Sequence, residues 1–116
     1  MMETTVDPNA VLDNPLALDG LEFVEYASTD PAALEQLFLK LGFQKIGQHK
    51  RKQVTLYRQN QVNFILNNEP GTFAAKFAKQ HGPSICATGF RVKNAQKAHD
   101  LAVQRGARSI EIKSDP

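Results

Sequence analysis

The sequence predicts an α+β fold, a strand–helix–strand–strand–strand unit followed by a second strand–helix–strand, and three observations predict it. Short stretches of alternating apolar and polar residues mark strands along the whole chain. Behind Asp30-Pro31, apolar residues at i, i+3, i+4 and i+7 mark a helix between the first two strands. The second half of the chain echoes the first at a constant offset of 64 residues, without a gap.

Residues 1–19 read as an extended leader, punctuated by Pro8, Asn9, Asp13, Asn14, Pro15 and Asp19-Gly20. Residues 20–116 read as one domain, with a first unit over 21–67, a linking helix over 71–82 and an incomplete second unit over 84–116. Leu21 to Ala27 alternates as a strand, with Glu22, Val24 and Tyr26 on one face and Leu21, Phe23, Glu25 and Ala27 on the other. Asp30 then offers a carboxylate to the unpaired N–H groups of a first helical turn, and Pro31 sits where its missing N–H costs nothing. Leu34, Leu37, Phe38 and Leu41 form one apolar stripe, and Gly42 supplies the left-handed residue that ends the helix.

Three strands follow: Phe43 to Gln48, Gln53 to Arg58 and Gln61 to Asn67. In the last two, Val54 and Leu56 oppose Thr55 and Tyr57, while Val62, Phe64 and Leu66 oppose Asn63 and Ile65; Gln59-Asn60 makes the tight turn between them. Gly71 to His81 forms a short helix with Phe73 and Phe77 one turn apart, stopped by Gly82-Pro83. Ser84 to Val92 is a strand. Asn94 caps a helix with Ala98, Leu101 and Ala102 on its apolar side and Gly106 at its end, and Arg108 to Lys113 alternates as a last strand.

In the repeat, Asp30 maps onto Asn94, Leu37 onto Leu101, Gly42 onto Gly106, Ile46 onto Ile110, Leu21 onto Ile85 and Tyr26 onto Phe90. These positions set element ends and core faces, which is what a duplicated supersecondary unit preserves. A second copy matching the first would run to roughly residue 130. The chain has 116 residues, so the second unit is expected to lack two strands and to leave an open sheet edge, an association hazard. The other reading is a complete small α+β domain that contains two similar strand–helix–strand units.

Composition bounds the function. The hydrophobic fraction of 41% and charged fraction of 22% are ordinary for a soluble globular domain. A net charge of +2, from 14 basic and 12 acidic residues, is too small to argue for nucleic acid or an anionic membrane surface. The single cysteine, Cys86, lies in the apolar run Ile85-Cys86-Ala87 and reads as a buried, inert thiol. No apolar stretch nears the roughly 18 residues that span a bilayer, and the acidic N-terminus is not a secretory signal, so a cytoplasmic location is expected.

Few residues invite chemistry. His49, His81 and His99 form no metal-site pattern with another His, Cys or carboxylate. His49-Lys50-Arg51-Lys52 would suit a phosphate or an acidic partner, but its place between two strands suits a solvated hairpin tip better. Gly42 and Gly47 have P-loop spacing, yet Gln48 stands where the phosphate-binding Lys must be, and the segment follows a helix. Glu25, on a strand face with Phe23, suits a ligand or a base; a partnered or edge Glu is the commoner case. Asn63, Asn67 and Asn68 cluster around one strand and suit either ligand contacts or strand-end turns.

The runs Leu21-Glu22-Phe23-Val24-Glu25-Tyr26-Ala27, Asp30-Pro31-Ala32-Ala33-Leu34 and Leu41-Gly42-Phe43 resemble the N-terminal domain of bacterial-type 4-hydroxyphenylpyruvate dioxygenases. So do Val54-Thr55-Leu56-Tyr57-Arg58-Gln59, Asn63-Phe64-Ile65-Leu66-Asn67, Phe73-Ala74, His81-Gly82-Pro83-Ser84 and Phe90-Arg91-Val92, and the likeness covers about residues 14–112 in order. It implies the βαβββ unit of the vicinal-oxygen-chelate superfamily. It also implies a parent enzyme that converts 4-hydroxyphenylpyruvate and dioxygen to homogentisate and carbon dioxide in tyrosine catabolism. In that family a C-terminal domain holds ferrous iron on two His and one Glu.

The family's His ligands come from the first strand of each unit in the catalytic domain. At the corresponding places here stand Phe23 and Ala87, 64 residues apart, and neither can bind a metal. The resemblance therefore implies a metal-free N-terminal domain with no catalytic, cofactor-binding or metal-binding residue of its own. Its expected partners are a C-terminal catalytic domain missing from this sequence and further copies in a homo-oligomer, and the chain alone is expected to be inactive. The alternative is a stand-alone module of the same superfamily that dimerises and holds a small molecule on the face carrying Phe23 and Glu25.

Overall fold

The computed structural model describes residues 13–110. Five strands and three helices run in the order β1 (Leu18–Ala27), α1 (Pro31–Lys40), β2 (Gln44–Gln48), β3 (Val54–Gln59), β4 (Val62–Asn67), α2 (Phe73–His81), β5 (Ser84–Val92) and α3 (Ala95–Gln104). The expected α+β class and its strand–helix–strand–strand–strand unit are present. The described residues divide into two compact units, 20–91 and a second made of 13–19 with 92–110.

The sheet has the order β2-β3-β4-β1-β5. β2, β3 and β4 form an antiparallel meander, and β4 lies parallel to β1 with Val24 opposite Phe64 and Tyr26 opposite Leu66. Parallel neighbours need a long crossover, and α1 with the meander supplies it. The hairpin turn falls one residue later than expected. Gln59 pairs with Val62, so Asn60-Gln61 turns the chain, and Asn60 takes the left-handed conformation at φ 53° that asparagine tolerates better than most residues.

α1 begins where the sequence places it, with the Asp30 carboxylate accepting from Ala33 N at 3.3 Å. One face of the sheet packs under this helix. Phe38, Phe43, Tyr57 and Leu66 are buried there, with Tyr26, Leu34 and Phe64 around them. Phe43 stacks on Phe64 at 4.2 Å, and Phe38 meets Tyr26 and Tyr57 edge-on at 5.0 and 5.2 Å, geometries that ring quadrupoles favour. The expected four-residue stripe is only half right: Phe38 is 1% exposed, but Leu37 is 49% and Leu41 56% exposed. A helix over a sheet buries a narrow seam, and Phe38 fills it among the rings of Tyr26, Phe43, Tyr57 and Phe64, while Leu37 and Leu41 lie to its sides.

The other face begins with Ala27, one residue after Tyr26 and so pointing the opposite way. Ala27 packs with Ala74 and Ala78 of α2, and with Cys86. Thr72 caps α2 through its hydroxyl, which accepts from Ala75 N at 3.2 Å, so the helix starts two residues later than Gly71.

The two helices match at the offset of 64. Asn94 accepts from Lys97 N as Asp30 does from Ala33 N, and α3 spans the same ten positions as α1, 64 later. Both C-termini close alike. Phe43 N donates to Phe38 O at 3.0 Å and Ala107 N to Ala102 O at 2.9 Å; Gly42 N donates to Leu39 O and Gly106 N to Val103 O, each at 3.1 Å. Gly42 and Gly106 have φ of 97° and 111°, where only glycine rests without strain. The expected strand over 108–113 is not formed by its described part. Arg108, Ser109 and Ile110 lie in no strand, and Ile110 is 78% exposed; alternation does not make a strand without a ladder partner. Residues 111–113 lie outside the described residues.

Candidate functional site

The sheet face opposite α1 carries Glu25 and Asn67 among the residues singled out in the sequence. Glu25 is half-buried there and is a partnered carboxylate: its Oε2 accepts from Asn67 Nδ2 at 3.2 Å and from Cys86 Sγ at 3.4 Å. β1 supplies the acid, β4 the amide and β5 the thiol. The parallel β1–β4 register places Glu25 opposite Ile65, two residues from Asn67, a diagonal within side-chain reach.

Burial pushes the Cys86 thiol up to about 11 from its ordinary 9.0, and the charge and hydrogen bond of Glu25 push the same way. A nucleophilic cysteine needs the opposite, so Cys86 is poorly suited to react, although it is half-buried and not fully buried as the sequence suggests. Asn67 also accepts from Glu69 N at 3.1 Å, and Asn68 donates to Gln53 Oε1 at 2.8 Å; both serve the strand end. Asn63 accepts from Arg58 Nε at 2.7 Å and donates to the Glu22 carbonyl at 3.1 Å.

Phe23 lies against Gly89 of β5. A Cβ built on Gly89 would sit 2.3 Å from Phe23 Cε1. Ala87, the counterpart of Phe23 at offset 64, is one of two consecutive exposed residues, Ala87 and Thr88, at which the alternation of burial along β5 changes phase. Beside these groups a cavity of about 340 Å³ opens over Val54, Leu56 and Ile65, with Gly47 and His49 at its rim.

The three histidines stay apart. His49 Nδ1 accepts from Arg51 N and Lys52 N, both at 3.1 Å, and so organises the basic turn. His81 lies against Phe77 at 4.4 Å, and His99 pairs Nε2 with Ser109 Oγ at 3.0 Å. Among the described residues, no three His, Cys, Asp or Glu side chains gather as a metal site would need. No helix among them is long and apolar enough to cross a membrane.

One polar centre was not foreseen. On the α1 side, the Tyr57 hydroxyl donates to Glu35 Oε2 at 2.6 Å, and Lys45 Nζ lies 3.6 Å from the same oxygen. Tyr57 is wholly buried. Burial, then Glu35, raises its hydroxyl pKa well above the ordinary 10.0, so it stays a donor. Glu35, Lys45 and Tyr57 come from α1, β2 and β3 and share no sequence spacing.

Residues 12–116 match the family model described as "Hydroxyphenylpyruvate dioxygenase, HPPD, N-terminal". The chain is 49% identical over 104 residues to a 4-hydroxyphenylpyruvate dioxygenase of Pseudomonas sp. (strain P.J. 874), covering 90% of this chain and 29% of that protein. It is 43% identical over 100 residues to the enzyme of the same name from Pseudomonas aeruginosa, covering 84% and 28%. A solved structure described as a xylose isomerase-like TIM barrel/4-hydroxyphenylpyruvate dioxygenase fusion protein superposes with a TM-score of 0.76 at 38% identity, over 89% of this chain and 17% of that one. The chain thus spans less than a third of the length of the relatives it matches.

Proposed function

We infer the function of this chain from the family to which it belongs, that of the N-terminal domain of hydroxyphenylpyruvate dioxygenases. Its proposed role is that of a metal-free module beside a catalytic domain of a ferrous-iron dioxygenase in the cytoplasm. That enzyme would take 4-hydroxyphenylpyruvate and dioxygen to homogentisate and carbon dioxide in tyrosine catabolism. The module would dock on the catalytic domain and support contacts between copies.

The observation that carries this reading is the family match over residues 12–116. The side chains agree with it. Ferrous iron needs nitrogen and oxygen donors with open positions; Phe23 and Ala87 offer none, and the Glu25 carboxylate is already engaged by Asn67 and Cys86. These residues do not fit the iron, and no chemical step is assigned to them.

The test is dioxygen uptake by the purified chain with ferrous iron, ascorbate and 4-hydroxyphenylpyruvate. Uptake no greater than a metal-only blank is expected. Sustained turnover would overturn the metal-free reading.

A second reading is a stand-alone dimer that holds a small molecule, favoured by the apolar cavity over Val54, Leu56 and Ile65. A dimer by light scattering, with a melting temperature raised by an aromatic keto acid, would support it over the first.

A further inference from the structure

The α1 side of the sheet holds a second cavity, of about 460 Å³, away from the face that carries Glu25 and Phe23. Its floor reaches the core, since Tyr57, Leu66 and Thr55 are 0%, 2% and 8% exposed. Its walls are Glu35 of α1 and Lys45 of β2, and its rim carries the carboxamides of Gln48, Gln53 and Asn68.

Glu35, Gln53 and Asn68 are held in place before anything binds. The buried Tyr57 hydroxyl anchors the Glu35 carboxylate at 2.6 Å. The rim is pinned from three sides: Gln53 N donates to Glu69 Oε2 at 2.6 Å, Asn68 N to Gln53 O at 2.9 Å, and Asn68 Nδ2 to Gln53 Oε1 at 2.8 Å. These bonds leave Gln53 Nε2 and Asn68 Oδ1 for a bound molecule. A concave site with fixed polar groups above a partly apolar floor is how small-molecule sites are built, because preorganisation removes the cost of ordering on binding.

Charge decides what fits. Lys45 Nζ stands 3.6 Å from Glu35 Oε2 as a partly exposed ion pair, so the cavity wall carries both signs and no net charge. An anion on Lys45 alone meets Glu35, and a cation on Glu35 alone meets Lys45. A neutral apolar molecule would strip water from both charges without replacing it. A small zwitterion satisfies both at once, its carboxylate on Lys45 and its ammonium on Glu35. We propose that this cavity binds a free α-amino acid, through Lys45 and Glu35 with the rim amides, in a site separate from the face bearing Glu25.

The test is an amide chemical-shift titration of the 116-residue chain with L-alanine and L-phenylalanine, and separately with acetate and ethylamine, each to about 10 mM, the upper end of weak metabolite affinities. Saturable shifts at Ala32, Lys45, Gln48 and Asn68 with the amino acids are expected, with acetate and ethylamine about tenfold weaker or worse, the loss of one charge contact being worth at least that factor. Lys45→Met and Glu35→Gln should each weaken amino-acid binding about tenfold, while Lys50→Met should leave it unchanged. Lys45 is partly exposed, so its variant keeps the test open should Glu35→Gln fail to fold. Absence of shifts at these residues with both amino acids overturns the proposal, as does acetate binding as tightly as alanine.

Discussion

The ring of Phe23 occupies the space that any side chain at position 89 would need: a Cβ on Gly89 would lie 2.3 Å from Cε1, 2.7 Å from Cδ1 and 2.7 Å from Cζ. Gly89→Ala therefore forces the ring off the sheet and should cost about 1–2 kcal/mol, the usual scale of overpacking. In a Phe23→Leu background the cost should shrink to a few tenths. Urea unfolding of the four chains gives the coupling; equal costs in both backgrounds would mean that the ring is not the obstacle.

Phe38 and Leu37 are neighbours on one helix with opposite fates. Phe38→Ala removes a ring enclosed by Tyr26, Phe43, Tyr57 and Phe64 and should cost about 3–5 kcal/mol. Leu37→Ala removes a side chain that is half in water and should cost under about 1 kcal/mol. Thermal unfolding separates the two; similar losses would show that Leu37 is buried in solution.

Tyr57→Phe keeps the packing and deletes the hydrogen bond to Glu35. It should cost about 1–2 kcal/mol at neutral pH, the range for a bond to a charged acceptor that water still reaches. The hydroxyl's pKa is raised in the folded chain above 10.0, so its contribution is full below pH 10 and is lost as pH climbs and the unfolded chain ionises. Cys86, shifted from 9.0 to about 11, adds a loss in the same direction in both proteins. Stability should therefore fall more steeply above pH 10 in the parent than in Tyr57→Phe; parallel curves would refute the shift.

Cys86 should react slowly. With its pKa near 11, the thiolate fraction at pH 8 is about a hundredfold below that of an ordinary thiol, and iodoacetamide labelling should lag by at least tenfold. Glu25→Gln removes the nearby negative charge but leaves the burial, so it should quicken labelling without restoring the free-thiol rate. Labelling at the free-thiol rate in the parent chain would show that burial does not hold.

Asp30→Ala and Asn94→Ala should each loosen their own helix by about 1 kcal/mol, since each side chain accepts the backbone N–H three residues on. Hydrogen exchange across α1 and α3 would show matched losses; a silent Asn94→Ala would break the equivalence of the two helices.

Whatever is settled within a few residues is legible along the chain itself. Caps reach three residues ahead, glycine ends a helix by its own conformational freedom, and a period of two or of 3.6 shows in a short window. For that reason the elements up to α3, the faces of β1, β3 and β4, and the matched caps of α1 and α3 are legible in the residues, and the family motifs run along the same stretches. Long-range packing settled the rest: which side of an apolar stripe is dry, that Glu25 finds Asn67 and Cys86, that Phe23 meets Gly89, and that Glu35, Lys45 and Tyr57 share one cavity. Those outcomes rest on sheet order, register and the space left by neighbouring rings, which join residues tens of positions apart and leave no periodic trace in the chain.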